Sequence, residues 1–138
     1  MTGSYSHTVD AKGRVFVPAK FRDALTRQFR MTCGPEGCIR AYTAAEWQKV
    51  EDAFEHAAVG DNRAKRALYR NVSEIDMDAQ GRILIPEKLR DKAGITDKVE
   101  IIGMGGWAEL WDPARLEAYQ GDMTDDELFE SFKGLSLS

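Results

Sequence analysis

A thirteen-residue stretch occurs twice in this chain, and the repetition limits the possible folds more than any other feature. Asp10-Ala11-Lys12-Gly13-Arg14-Val15-Phe16-Val17-Pro18-Ala19-Lys20-Phe21-Arg22 returns as Asp78-Ala79-Gln80-Gly81-Arg82-Ile83-Leu84-Ile85-Pro86-Glu87-Lys88-Leu89-Arg90, 68 positions later and without a gap. Seven positions are identical and four more exchange one apolar residue for another. Such a run marks an internal duplication. Each copy reads as turn, strand, helix. Asp-x-x-Gly is a polar turn in which glycine takes a positive φ at little cost. Arg14–Val17 and Arg82–Ile85 are short β-rich runs. Pro18 and Pro86 cannot continue a central strand and suit the first position of a helix, where the missing N–H is not needed. Phe21, Ala24 and Leu25 then fall at helical spacing, with Lys20 and Arg22 flanking that face in solvent.

The rest of the chain predicts about β, β, α, β, β, α in each copy. In the first, Tyr5–Val9 meets Arg14–Val17 as a hairpin, and a helix runs from about Pro18 to Arg27. Phe29–Cys33 and Cys38–Tyr42 are strands joined by the turn Gly34-Pro35-Glu36-Gly37. Thr43 caps a helix to about His56, with Glu46 completing a capping box. Gly60 breaks that helix and Asp61 caps a basic helix to Arg70. The second copy has strands at Val72–Asp76, Lys98–Met104 and Trp107–Trp111, a motif helix ending at Gly94, and a short helix from Asp112-Pro113 to Tyr119. Thr124 and Glu127 open an acidic helix, and the last residues fray. Repeat 1 is thus set at 5–50, a helical connection at 51–70, repeat 2 at 73–119 and an acidic tail at 120–138. Lone hairpins cannot bury their apolar face, so the expected fold class is α+β. Duplicated β-hairpin/helix repeats pair about a pseudo-twofold axis and close a small barrel-like core.

Net charge is −4, but its distribution is uneven. Residues 1–30 hold six basic residues against two acidic ones, and residues 109–138 hold eight acidic against two basic. A basic face therefore coexists with an acidic tail, and the local field decides where phosphate binds. Arg14 and Arg82 follow their turns directly, where a guanidinium projects from rigid backbone and matches phosphate oxygens or the O6/N7 edge of guanine. Asp10 and Asp78, with the turn glycines Gly13 and Gly81, are the turn-forming and orienting residues. The plain alternative is a solvated turn with a structural Asp–Arg pair. Lys12 stands at the first loop tip, where the second copy has Gln80, so the first copy carries more of the electrostatic attraction. Lys20, Arg22, Lys88 and Arg90 are either phosphate contacts or ordinary exposed charges.

Other chemistry finds little support. No Gly-x-Ser-x-Gly, phosphate-cradling glycine loop or His-Glu-x-x-His is present. An arginine beside Asp10 and Asp78 holds each ionised, unsuited to acid catalysis. His7 and His56 lack metal-ligand spacing. Cys33 and Cys38 suit a disulfide as well as half a zinc site, and in a reducing cytoplasm they are two thiols. Trp47, Trp107, Trp111 and the phenylalanines read as core or subunit interface. No enzyme activity, cofactor, metal or small-molecule ligand is expected. No apolar run reaches the ~18 residues of a membrane span, and the start lacks the layout of a secretory signal, so a cytoplasmic protein is expected.

The pattern Asp10-x-Lys12-Gly13-Arg14-x-x-x-Pro18-x-x-x-Arg22, with its second copy Asp78-x-x-Gly81-Arg82-x-x-x-Pro86-x-x-x-Arg90, resembles the MraZ family. That family sits within the AbrB/SpoVT-like swapped-hairpin (double-split β-α-β) DNA-binding proteins. Tyr5–Val9 and the paired spacing fit as well, and the resemblance covers roughly the first 120 residues. It implies that one chain exchanges hairpins between its own halves. It further implies a nucleoid-associated transcriptional regulator, acting as an autoregulatory repressor of the division and cell-wall gene cluster. The implied partner is double-stranded DNA with short promoter direct repeats, met by a homo-oligomeric ring of octamers or dodecamers. The runner-up is a ring-forming protein-interaction module without DNA binding.

Overall fold

The structure is a computed structural model and describes residues 1–56 and 62–135. In chain order the elements are β1 (Ser4–Thr8), β2 (Arg14–Phe16), α1 (Ala19–Leu25), β3 (Gln28–Cys33), β4 (Ile39–Tyr42) and α2 (Ala44–His56). There follow α3 (Arg63–Asn71), β5 (Ser73–Asp76), β6 (Arg82–Leu84), α4 (Glu87–Ala93), β7 (Lys98–Gly103), β8 (Trp107–Trp111), α5 (Pro113–Gln120) and α6 (Asp125–Gly134). The class is mixed α+β with antiparallel pairing throughout.

One sheet has the order β1-β7-β8-β4-β3-β5, and β2 with β6 forms a separate two-stranded ribbon. Each half therefore lends strands to the other. β1 of the first repeat lies on β7 of the second, with Thr8 opposite Lys98. β5 of the second lies on β3 of the first, with Asp76 opposite Gln28. The two halves meet where β4 pairs with β8, and there Arg40 stands opposite Glu109.

Two expectations are corrected here. β1 and β2 do not form a hairpin ladder. The turn closes with Asp10 N–H donating to Arg14 O at 2.9 Å, and the strands then part. β1 gains a five-residue register on β7, longer than anything three-residue β2 offers it. Nor does a closed barrel form, because the large sheet is open with β1 and β5 at its edges. Pro18 and Pro86 lack an amide hydrogen and follow β2 and β6 closely, which keeps both too short to bridge those edges.

Alternation along the strands puts Phe29, Met31, Ile39, Ala41, Val99, Ile101, Ala108 and Leu110 into one core. Phe21 and Leu25 of α1, Leu89 and Ala93 of α4, and Val15 and Ile83 of the ribbon close over it. Ala24 is exposed, so the buried stripe of α1 is narrower than its spacing suggested. The opposite sheet face holds a polar-aromatic layer. Buried Glu109 accepts from Trp111 Nε1 at 2.9 Å and Trp107 Nε1 at 3.1 Å. Arg40 stacks 4.7 Å over the Trp107 ring. Trp47 of α2 packs on Tyr42, and Tyr119 of α5 on Trp111.

Pro18 and Pro86 are not the first helical residues. Their ψ angles of 132° and 136° leave them extended, and the helices start one residue later. Thr43 Oγ1 accepts from Glu46 N–H at 3.2 Å, but Thr43 N–H donates to Gly106 O, so only half of the capping box forms. Gly94 caps α4 in the left-handed region (φ 68°), as expected, and the matching residue after α1 is Thr26, also at φ 68°. Asp112 and Thr124 cap α5 and α6 with bonds of 3.0 and 3.1 Å. Gly60 and Asp61 lie outside the described residues.

Candidate nucleic-acid interface

Each Asp turn is a closed cage built from its own residues. Asp10 Oδ1 accepts from the backbone N–H of Lys12 and of Arg14, both at 2.9 Å, and Oδ2 accepts from Arg14 Nε at 2.8 Å. Asp78 does the same with Gln80 N–H, Arg82 N–H and Arg82 Nε, all at 2.9 Å. Gly13 and Gly81 complete the turns with φ of 90° and 86°. The Arg14 backbone N–H does most to hold the Asp10 carboxyl below its ordinary value of 3.8, helped by the guanidinium and by Lys12 N–H and opposed by desolvation. Asp78 is lowered by the matching groups. With Nε tied to the carboxylate, the far edge of each guanidinium stays outward. The Arg14 side chain is 39% exposed and that of Arg82 33%.

The other repeat then fixes each cage from outside. Val17 N–H donates to Gly81 O and Ile85 N–H to Gly13 O, both at 2.9 Å. Arg22 Nε donates to Val17 O and Arg90 Nε to Ile85 O, each at 3.0 Å. Those guanidiniums lie over the glycines of the opposite turns. A Cβ on Gly13 would stand 2.7 Å from Arg90 Cζ, and one on Gly81 would run into Arg22. Arg22 is thus half-buried rather than fully solvated, because a planar guanidinium covers a bare glycine and satisfies a strand-end carbonyl at once. The sequence held a signal for this, since an arginine recurs four residues after each proline.

The ribbon brings both turns together. Arg14 stands opposite Leu84 and Phe16 opposite Arg82, so both arginines occupy one outer face. Lys12 and Gln80 are exposed at the two tips. Lys20 on α1 and Lys88 on α4 are both exposed, and Lys88 Nζ donates to Arg70 O at 3.1 Å. Phe16 and Leu84, large and exposed on the same face, escaped the sequence reading. The signal was the alternation itself, since burial of 15 and 17 turns 16 outward.

Cys33 and Cys38 are free thiols, and burial, with Glu109 and Glu36 nearby, pushes the Cys38 thiol up to about 12. Among the described residues no three His, Cys, Asp or Glu side chains group to hold a metal ion. Among them also, no helix is long and apolar enough to cross a membrane.

The family model described as "MraZ protein, putative antitoxin-like" matches the chain twice, over residues 1–71 and 68–136. The protein named "Transcriptional regulator MraZ" from Acetivibrio thermocellus is 41% identical over 98% of both chains. Its namesake from Ligilactobacillus salivarius is 37% identical over 97% of this chain and 92% of its own. That from Acidovorax sp. (strain JS42) is 35% identical over 98% of each. Two matches of one model, end to end, agree with the duplication read from the residues. The chain belongs to the MraZ family, the family of these transcriptional regulators.

Proposed function

We propose that this chain is a sequence-specific regulator of transcription that grips double-stranded DNA through the outer face of the β2–β6 ribbon. The observation that carries the reading is the pair of aspartate-caged arginines, Arg14 and Arg82, presented on one face of the ribbon and partly exposed. A guanidinium held by its Nε keeps its outer edge free for a bidentate contact with guanine or phosphate. Lys12 and Gln80 extend the contact at the tips, with Lys12 alone releasing a counterion. Lys20, Arg22, Lys88 and Arg90 form the phosphate-facing set behind them, Arg22 and Arg90 while bracing the turns. Repeat 1 (5–50) and repeat 2 (73–119) act as one unit joined by 51–70.

In this reading the operator is a series of short G-containing direct repeats before the protein's own operon, at the head of the division and cell-wall genes. The protein represses that operon from the nucleoid, as a ring of eight or twelve subunits whose linked weak contacts sum to avidity. The test is binding of the full-length protein to its own upstream DNA and to a scrambled duplex of equal length, across a salt series. Preference for the promoter with a steep salt slope supports the reading, and equal binding to both refutes sequence recognition.

One observation favours a second reading, a protein-interaction module without DNA binding. The exposed helix α6 carries Leu128, Phe129 and Phe132 among acidic residues, with Leu135 just beyond. Absence of binding to either duplex, with the assembly intact, would select it.

A further inference from the structure

Two large apolar side chains lie on the outer face of the ribbon beside the arginines. Phe16 is 46% exposed and Leu84 55%. The register sets Leu84 across from Arg14 and Phe16 across from Arg82, so each arginine is flanked by an apolar residue of the other repeat. Arg82 Cζ lies 6.0 Å from the Phe16 ring centroid. Val15, between Arg14 and Phe16, and Ile83, between Arg82 and Leu84, point the other way into the core, which is complete without Phe16 and Leu84. A strand face turned to water ordinarily carries polar residues. The two copies have diverged around this face, Lys12 against Gln80 and Ala19 against Glu87, yet both keep a large apolar residue on it.

We infer that Phe16 and Leu84 read thymine methyl groups in the major groove, beside the bases contacted by Arg14 and Arg82. The inference rests on the DNA reading above. Paired strands lie about 4.8 Å apart, and the major groove, about 12 Å wide, admits a two-stranded ribbon. The groove walls are anionic, which suits Lys12, Arg14 and Arg82. Its floor offers one apolar group among the four bases, the C5-methyl of thymine. An apolar side chain held between two arginines meets a matching surface there. A second copy of this chain presenting the same face about a twofold is a poorer occupant, because it would bring Arg14 and Arg82 against like charges and desolvate them.

The test measures binding of the full-length protein to its promoter duplex with each thymine replaced singly by deoxyuridine. That change removes the methyl and keeps the base pair. The wild type should bind about fourfold more weakly at one or more positions, the value of one buried methyl-sized group. Phe16→Ala and Leu84→Ala should each lose a similar factor on native DNA and become indifferent to deoxyuridine at their own position. Their salt slope should match the wild type, whereas Lys12→Ala, which removes a phosphate contact, should lower it by about 0.9. A wild type that prefers its promoter yet ignores every deoxyuridine overturns the inference while leaving the DNA reading intact. So do variants that keep the thymine response but change oligomer size in light scattering, which would make this face an interface between copies. A wild type without promoter preference removes the DNA reading and this inference together.

Discussion

The two turns agree in their bonding to within 0.1 Å and differ at their tips. The cage of Asp, Gly and Arg is the same in both repeats, and so is the brace that each receives from the other half. What has diverged is what meets the outside: Lys12 stands where the second copy has Gln80, Phe16 where it has Leu84, and Ala19 where it has Glu87. Duplication has thus separated positioning from contact. The parts that hold a guanidinium still are kept twice, and the parts that set charge and shape are free to vary.

The comparison can be broken first at the shared core. Phe21→Ala and the equivalent Leu89→Ala should cost about 3–5 and 2–5 kcal/mol. Both side chains are 1% exposed or less and belong to one cluster, so urea unfolding should stay a single transition in each variant. Two separate transitions would mean that the halves fold independently. Next come the turn glycines. Gly13→Ala forces a β-carbon onto a φ of 90° and into Arg90, and should cost about 2 kcal/mol or more. Adding Arg90→Ala should relieve part of that loss, so the double variant is less destabilised than the sum.

The helix exits should respond with opposite signs. Thr26 holds φ 68° and ψ −176°, a region that suits glycine, where the second repeat has Gly94. Thr26→Gly should stabilise by about 1 kcal/mol despite losing the Thr26 Oγ1 to Gln28 O bond, and Gly94→Ala should destabilise by a similar amount. Acid should act on both repeats alike. Asp10 and Asp78 titrate below 3.8 when folded, so their contribution is complete above that pH and fades as pH falls through the lowered values. Carboxylate NMR midpoints at or above 3.8 would contradict the cages. The smallest effect is at the tips: Lys12→Gln should lower the salt slope of promoter binding by about 0.9, and Gln80→Lys should raise it equally.

Much of this was legible in the residues. The duplication set the element order, and the Asp-x-x-Gly turns stand where the residues put them. Turn chemistry is local, so it survives in a linear sequence. Strand partnership is not local. Tyr5–Thr8 carries the same alternation whether it pairs with β2 or with β7, and only the three-dimensional register separates the two. The barrel expectation failed for a related reason, since two prolines limit β2 and β6 more tightly than their apolar content suggests. The double role of Arg22 and Arg90 was hidden because a charged residue on a short helix looks solvated until its glycine partner, far along the chain, is known.

The central claim is that both caged arginines act together on one DNA face. The direct measurement is equilibrium binding of wild type, Arg14→Ala, Arg82→Ala and the double variant to the promoter duplex at one salt concentration. Oligomer size is followed in parallel. Each single change should cost about 1–3 kcal/mol, or roughly 5- to 150-fold in affinity. The double variant should lose promoter preference altogether while its assembly is unchanged. A double variant that still binds the promoter as the wild type does would contradict the account.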